Sequence, residues 1–225
     1  MVQVSIGGER ADVGTIYALG RNYAEHAREM GAAPEPVVFL KPLSSLRPEG
    51  GLIDWPEGSQ EIHHEVELVL YLGRGGVRLD RAAAAAAIGA VGVGVDLTAR
   101  DLQREAKQRG APWARSKGFP GSAPVSAFVA VAQLPVSLEQ IDLELTVGGE
   151  LRQRAKIAEM LLSPAEIVAL LSRWFELRAS DLIFTGTPSG DGAVMPGEPV
   201  VARSRALDLE LELMLSTRGR AGAAR

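Results

Sequence analysis

HEVELVLYL, residues 64–72, decides how the rest of the chain is read. Its side chains alternate between the two faces of an extended chain, so Glu65, Glu67, Val69 and Tyr71 share one face. Val66, Leu68, Leu70 and Leu72 share the other. The apolar run is too short and too β-branched for a helix and reads as the clearest strand of the sequence. It also sets two carboxylates side by side. Like charges so placed repel unless a cation or solvent relieves them. An exposed face with two ordinary glutamates is the plain alternative.

The next informative stretch is VGVGVD, residues 91–96. Alternating Val and Gly suggests a buried strand whose glycines let another backbone approach closely. Asp96 ends it, and a buried carboxylate needs pairing, protonation or a metal. Glu65, Glu67 and Asp96 together would supply hard oxygen ligands for Mg²⁺, with positions left for water and substrate.

Working outward, residues 15–19 and 37–40 read as short strands and residues 21–30 as a helix without Gly or Pro. Residues 42–59 are rich in Gly, Pro and Ser and read as a surface loop with a short strand at 52–54. The alanine run 82–87 is helical packing, and residues 97–108 read as a polar helix. Residues 142–151 form a hairpin through Gly148-Gly149. Residues 164–175 make an amphipathic helix with Ser163 as N-cap and Pro164 at its first position. Strands follow at 181–185, 199–203 and 207–213. Residues 1–14 read as a lead-in, 15–216 as one catalytic domain and 217–225 as a disordered tail. Strands outnumber helices without regular alternation, so the expected fold is α+β with a large mixed sheet.

A chain of 225 residues with 46% hydrophobic and 23% charged residues is an ordinary globular domain. Its net charge of -4 carries no footprint for nucleic acid. No apolar run is long enough to span a membrane and the N-terminus lacks a secretory layout, so a cytoplasmic location is expected. With no cysteine, thiolate ligands and a cysteine nucleophile are excluded. Only four lysines stand against twenty arginines, which draws attention to Lys41, Lys107, Lys117 and Lys156. The histidines are His26, His63 and His64. His26 and Glu29, three apart on the expected helix, would share a face, where the carboxylate could fix the imidazole as a general base; a surface pair is the plain alternative. No dinucleotide fingerprint, P-loop or G-x-S-x-G elbow occurs.

Eight segments in order, LGRNYAEHAREMG (19–31), VFLKPLSSL (38–46), IHHEVELVLYLG (62–73), GVDLTARDLQ (94–103), GAPWARSKGF (110–119), SAPVSAF (122–128), GELRQ (149–153) and LIFTGTPSG (182–190), resemble the fumarylacetoacetate hydrolase family. The short acylpyruvases and their oxaloacetate decarboxylase-like relatives are the most similar members. The resemblance implies a rolled mixed sheet with short helices and a homodimer. It implies Glu65, Glu67 and Asp96 as ligands of Mg²⁺ or Mn²⁺, and His26 and Glu29 as a catalytic dyad on a lid helix. Lys117 would act beside them as a charge-neutralising or proton-returning group. Gln103 and Thr187 would contact substrate, with Arg21 a further candidate; Tyr23, Lys41 and Arg100 sit in matching motifs.

The implied activity is metal-dependent hydrolysis of the carbon–carbon bond of a short acylpyruvate, such as acetylpyruvate or fumarylpyruvate. Water activated by the dyad would attack the distal carbonyl. Alternatives are decarboxylation, tautomerisation or isomerisation of oxaloacetate or a related 2-oxo diacid, or a catalytically silent metal-binding protein. Pro120, Ala155-Lys156-Ile157 and Asp191 depart from the family pattern; all three are expected at the far end of the pocket, away from metal and dyad. Deleting Asp96 is expected to raise thermal stability by relieving repulsion among three carboxylates.

Overall fold

The computed structural model describes residues 2–24 and 36–217. In chain order the strands are β1 (Gln3–Ile6), β2 (Glu9–Asp12), β3 (Ile16–Gly20), β4 (Val37–Lys41), β5 (Leu46–Pro48), β6 (Gly51–Ile53), β7 (Ile62–His64), β8 (Val66–Leu72), β9 (Ile88–Val95), β10 (Thr98–Ala99), β11 (Ala123–Ala130), β12 (Asp142–Val147), β13 (Glu150–Lys156), β14 (Leu182–Phe184), β15 (Gly192–Ala193), β16 (Pro199–Ser204) and β17 (Leu209–Leu215). The helices are α1 (Arg81–Ala87), α2 (Arg100–Arg109), α3 (Ala114–Lys117) and α4 (Pro164–Trp174). The expected α+β class with a large mixed sheet is what the chain forms. Among the described residues no helix is long and apolar enough to cross a membrane.

The main sheet runs β2-β1-β11-β9-β8-β14-β3-β4, with β5 added to β11. A second sheet runs β13-β12-β16-β17-β6, and a small one runs β10-β7-β15. The strand that opened the reading, β8, lies deep inside the main sheet, antiparallel to both β9 and β14. Its alternation is buried on both sides. Leu68, Leu70 and Leu72 enter a core shared with Leu143, Leu145 and Leu213 of the second sheet. Val69 joins Phe128, Phe184 and Ile16 in a separate core on the other face. Each fully buried Leu contributes about 1.5–3 kcal/mol, so the register of β8 is fixed. A one-residue slip would move Glu67 into the leucine core.

The Val/Gly pattern of β9 has two uses. A Cβ at Gly92 would lie 3.1 Å from the Ala127 carbonyl of β11, the close backbone approach expected. A Cβ at Gly94 would lie 2.6 Å from the Val69 side chain and 2.9 Å from the Phe184 ring, so this glycine makes room for side chains.

The helix expected over 97–108 begins later. Thr98 and Ala99 first pair antiparallel with His63 and Ile62, and the helix starts at Arg100. Sheet pairing overrides local helix preference there. Ser163 caps α4 as expected, its hydroxyl donating to Glu166 at 2.6 Å. β1 and β2 are a hairpin joined to the main sheet through β11. The expected helix over 21–30 falls largely on residues 25–35, outside the described residues, as do His26, Glu29 and residues 218–225 of the tail.

Candidate active site

Three strand ends bring the carboxylates together. Glu65 follows β7 and precedes β8, Glu67 is within β8, and Asp96 follows β9. Register does the rest: Val66 pairs with Val95, and the Asp96 amide donates to the Glu65 carbonyl at 2.8 Å. Asp96 is thus carried level with Glu65. Glu65, Glu67 and Asp96 are 5%, 1% and 1% exposed. One carboxylate oxygen from each lies within 4.8 Å of the others. The exposed-face reading of Glu65 and Glu67 is therefore wrong, because both faces of β8 are covered.

Cations answer this buried charge. Lys117 Nζ donates to Glu65 Oε2 at 2.7 Å, Asp96 Oδ2 at 2.6 Å and Thr98 Oγ1 at 2.6 Å. Lys41 Nζ donates to Asp96 Oδ1 at 2.6 Å and to the Lys117 carbonyl. Arg100 donates to Glu65 Oε1 at 2.6 Å, to Gln103 Oε1 at 2.7 Å and to Asp191. Two of the four lysines thus face Asp96 directly. Lys107 stands 5.2 Å over the Trp113 ring, and Lys156 is exposed on β13.

The three acids are electrically unequal. Burial would raise the Glu65 carboxyl, but Lys117 and Arg100 outweigh it and hold it down to about 2. Among the described residues Glu67 accepts from the Gly186 amide alone, at 2.7 Å. Burial first, then the Asp96 and Glu65 charges, push its carboxyl well above the usual carboxylate range. Burial lowers Lys41, against the pull of Asp96. Burial also acts to lower Lys117, but Asp96 and Glu65 raise it on balance, so it stays charged. Asp96 therefore accepts from two buried ammonium groups, which argues against the expected gain in stability on deleting it.

The cluster suits a hard divalent cation: three carboxylates at close range, all oxygen. Glu65, Glu67 and Asp96 would hold it.

Around this centre Gln103 is buried and held by Arg100, and Thr187 is buried where its hydroxyl accepts from Gln153 at 2.8 Å. Arg21 lies just after β3 in a left-handed conformation, φ 68°. Two residues with no role assigned from sequence are structural hubs. Gln153 Oε1 accepts from the Val66 amide at 3.0 Å and pairs with His64 Nδ1 at 3.0 Å, while its amide donates to Thr187 and the Pro188 carbonyl. It ties β8 to the 186–188 turn. Asn22 donates to the Thr185 carbonyl at 2.9 Å and the Leu162 carbonyl at 3.0 Å, and accepts from the Leu162 amide at 2.8 Å. Both are buried amides on segments singled out by motif, but their partners lie far away in sequence.

The three departures from the family pattern separate. Pro120 is exposed and Ile157 is packed in the core. Asp191 does reach the centre: it accepts from Arg100 and lies 3.3 Å from His63 Nδ1, so it is not remote from the carboxylate cluster as expected.

Residues 15–214 match the fumarylacetoacetate (FAA) hydrolase C-terminal family. The chain is 42% identical over 189 residues to the mitochondrial oxaloacetate tautomerase of Rattus norvegicus, covering 83% of this chain and 85% of that one. It is 36% identical to the mitochondrial oxaloacetate decarboxylase of Dictyostelium discoideum, covering 91% and 95%. The crystal structure of fumarylpyruvate hydrolase from Pseudomonas aeruginosa, in complex with Mn²⁺ and pyruvate, superposes with a TM-score of 0.92 at 37% identity, covering 96% of each chain. With eight sequence segments in order, one fold and a shared length, the chain belongs to the fumarylacetoacetate hydrolase family.

Proposed function

We propose that this protein is a divalent-metal-dependent hydrolase that cleaves the carbon–carbon bond of a short acylpyruvate, giving pyruvate and a carboxylic acid. The observation that carries it is the buried Glu65–Glu67–Asp96 cluster, in a chain so similar to a fumarylpyruvate hydrolase that holds Mn²⁺ and pyruvate. Mg²⁺ or Mn²⁺ on these three residues would supply Lewis-acid polarisation of the 2-oxo group. His26, oriented by Glu29, takes a proton from water as its oxygen bonds to the distal acyl carbon. The bond from that carbon to the methylene breaks, and the electron pair goes to the methylene. A proton on that carbon then yields pyruvate. Lys117, charged and buried, neutralises the negative charge that develops on the pyruvate half. Gln103, Arg21 and Thr187 orient the substrate.

Keto–enol tautomerisation or decarboxylation of oxaloacetate is the second reading, favoured by the names of the sequence relatives. It uses the same 2-oxo acid site without an attacking water. A homodimer is also proposed, supported by an exposed apolar groove of about 1110 Å³ whose lining includes Leu40, Leu43, Phe119 and Pro120. Light scattering would test that. The decisive assay measures pyruvate release from acetylpyruvate, and enol loss and pyruvate release from oxaloacetate, with Mg²⁺ and with EDTA. EDTA-sensitive release from acetylpyruvate is the expected result. Faster turnover of oxaloacetate would move the assignment to the second reading, and no turnover of either would remove both.

A further inference from the structure

Asp191 brings a fourth carboxylate to the Glu65–Glu67–Asp96 cluster, and the small sheet carries it there. β7 is the central strand: Gly192 and Ala193 of β15 pair with its His64 and His63, and Thr98 and Ala99 of β10 pair with its His63 and Ile62. Asp191 precedes β15, Glu65 follows β7 and Arg100 follows β10. Three short strands thus deliver two acids and a cation to one place. Arg100 Nη2 donates to Glu65 Oε1 at 2.6 Å and also to Asp191 Oδ2, so the two carboxylates share a single guanidinium nitrogen. The Asp191 side chain keeps 12% of its surface exposed, so it is not sealed from a bound molecule.

The cations bonded into this group are already engaged by protein acceptors. Each ammonium proton of Lys117 has one, on Glu65, Asp96 and Thr98. Lys41 donates to Asp96 and to the Lys117 carbonyl. Arg100 gives Nη2 to Glu65 and Asp191, Nη1 to Gln103 at 2.7 Å and Nε to His63 Nδ1 at 3.3 Å. At the rim Arg104 and Glu61 pair with each other at 2.6 Å and cancel. Lys107 is exposed over the Trp113 ring, where water screens it.

Charge sets the consequence. The bonded group holds Glu65, Glu67, Asp96 and Asp191 against Lys41, Lys117 and Arg100. A divalent ion, with Glu67 ionised to receive it, would leave this group with one net positive charge. A single substrate carboxylate cancels that charge. A second carboxylate is a surplus anion in a largely buried site, beside Asp191 and facing cations that already have partners. With an uncharged side chain at position 191 the same group would match a diacid.

We propose that Asp191 sets the substrate class of this site: its charge disfavours dicarboxylic 2-oxo acids and selects a short 2-oxo acid with one carboxylate, of the acetylpyruvate type. The proposal rests on the 2-oxo acid reading given above and narrows it. Asp191 acts through its field on the far end of the substrate and makes no bond to it.

The test is titration calorimetry on the full chain at saturating Mg²⁺, with two unreactive probes of equal carbon number: 2-oxopentanoate, with one carboxylate, and 2-oxoglutarate, with two. The parent should bind 2-oxopentanoate tighter by roughly 10-fold or more. Asp191→Asn keeps the shape and removes the charge, so the ratio of the two Kd values should shift towards the diacid by roughly 10-fold. Asp191→Glu keeps the charge and should keep the parent's preference. The kcat/KM ratio of oxaloacetate to acetylpyruvate should rise in Asp191→Asn by a similar factor. A merely structural role would move both Kd values together and leave their ratio alone. A parent that binds the diacid as tightly as the monoacid overturns the proposal. So does a Kd ratio in Asp191→Asn within about twofold of the parent's, or an Asp191→Glu that behaves like Asp191→Asn. Should Asp191→Asn fail to fold, the parent decides alone: preference for the monoacid supports the proposal and its absence overturns it. A parent that keeps the preference but turns over neither acetylpyruvate nor oxaloacetate defeats the proposed function and leaves this inference standing. A parent that hydrolyses acetylpyruvate and shows no preference does the reverse.

Discussion

Asp96→Ala should both abolish metal-dependent activity and destabilise the metal-free fold. Asp96 accepts from Lys41 and Lys117 at 2.6 Å each, and the two lysine side chains are 0% and 3% exposed. After the substitution, among the described residues Lys41 keeps the Lys117 carbonyl alone, and Lys117 keeps Glu65 and Thr98. Breaking a buried ion pair by removing one partner costs about 3–5 kcal/mol. For a domain of this size about 2–4 °C is lost per kcal/mol, so the melting temperature should fall by about 6–20 °C. The lower end applies if Lys41, already lowered by burial, sheds its proton in the mutant. Adding Lys41→Met should recover part of the loss, because it removes a buried charge left without its carboxylate. The measurement is calorimetric melting at neutral pH in EDTA for the parent, Asp96→Ala and the double mutant. A melting temperature for Asp96→Ala equal to or above the parent's would refute the ion-pair reasoning and restore the repulsion argument.

Mg²⁺ binding to the metal-free protein should release protons, since burial and the Asp96 and Glu65 charges favour the protonated form of Glu67, which must ionise to bind. Dye-monitored titration in weak buffer that finds no proton release would contradict this. The sign for stability follows from the same shift: a carboxyl raised in the fold binds more protons there than in the unfolded chain, so this group's contribution falls as pH rises above its ordinary value of 4.5. Glu65, held to about 2, contributes in the opposite sense, losing its stabilisation as pH falls from 4.5 towards 2. Acid melts of the parent and Glu65→Gln should therefore converge at low pH. His26→Ala should cost acetylpyruvate hydrolysis roughly 10²- to 10⁴-fold and oxaloacetate decarboxylation far less; equal losses in kcat/KM would give the dyad a shared role in place of water activation. Gly186→Ala should lower the melting temperature by an amount worth more than about 1 kcal/mol, from positive φ and contact with Asn22; an unchanged melt would show that the turn can yield.

Much of the candidate centre was legible in one dimension because strand geometry is periodic. Alternation alone put Glu65 and Glu67 on one face of residues 64–72, and the Val/Gly run ending at Asp96 marked a buried carboxylate. The α+β class followed from short strands in irregular order, and the helix over 164–175 from its cap and period. None of this carries information about register between strands. Only the pairing of Val66 with Val95 brings Asp96 level with Glu65, and only the packing of β8 between two cores shows that the glutamate face is buried.

The compensating charges were out of reach for the same reason. Lys41 lies 55 residues from Asp96, and Asp191 lies 91 residues from Arg100. Gln153 is a further case, reaching Val66 across 87 residues. Hydrogen bonds and ion pairs of this range leave no spacing signal in the chain. The sequence by itself determined which residue types the centre contains and which strands carry them. The tertiary structure decided their electrical environment, because burial and neighbouring charge depend on contacts that only the folded chain makes: Glu67 is pushed up, Glu65 is held down, and Asp96 accepts from two lysines.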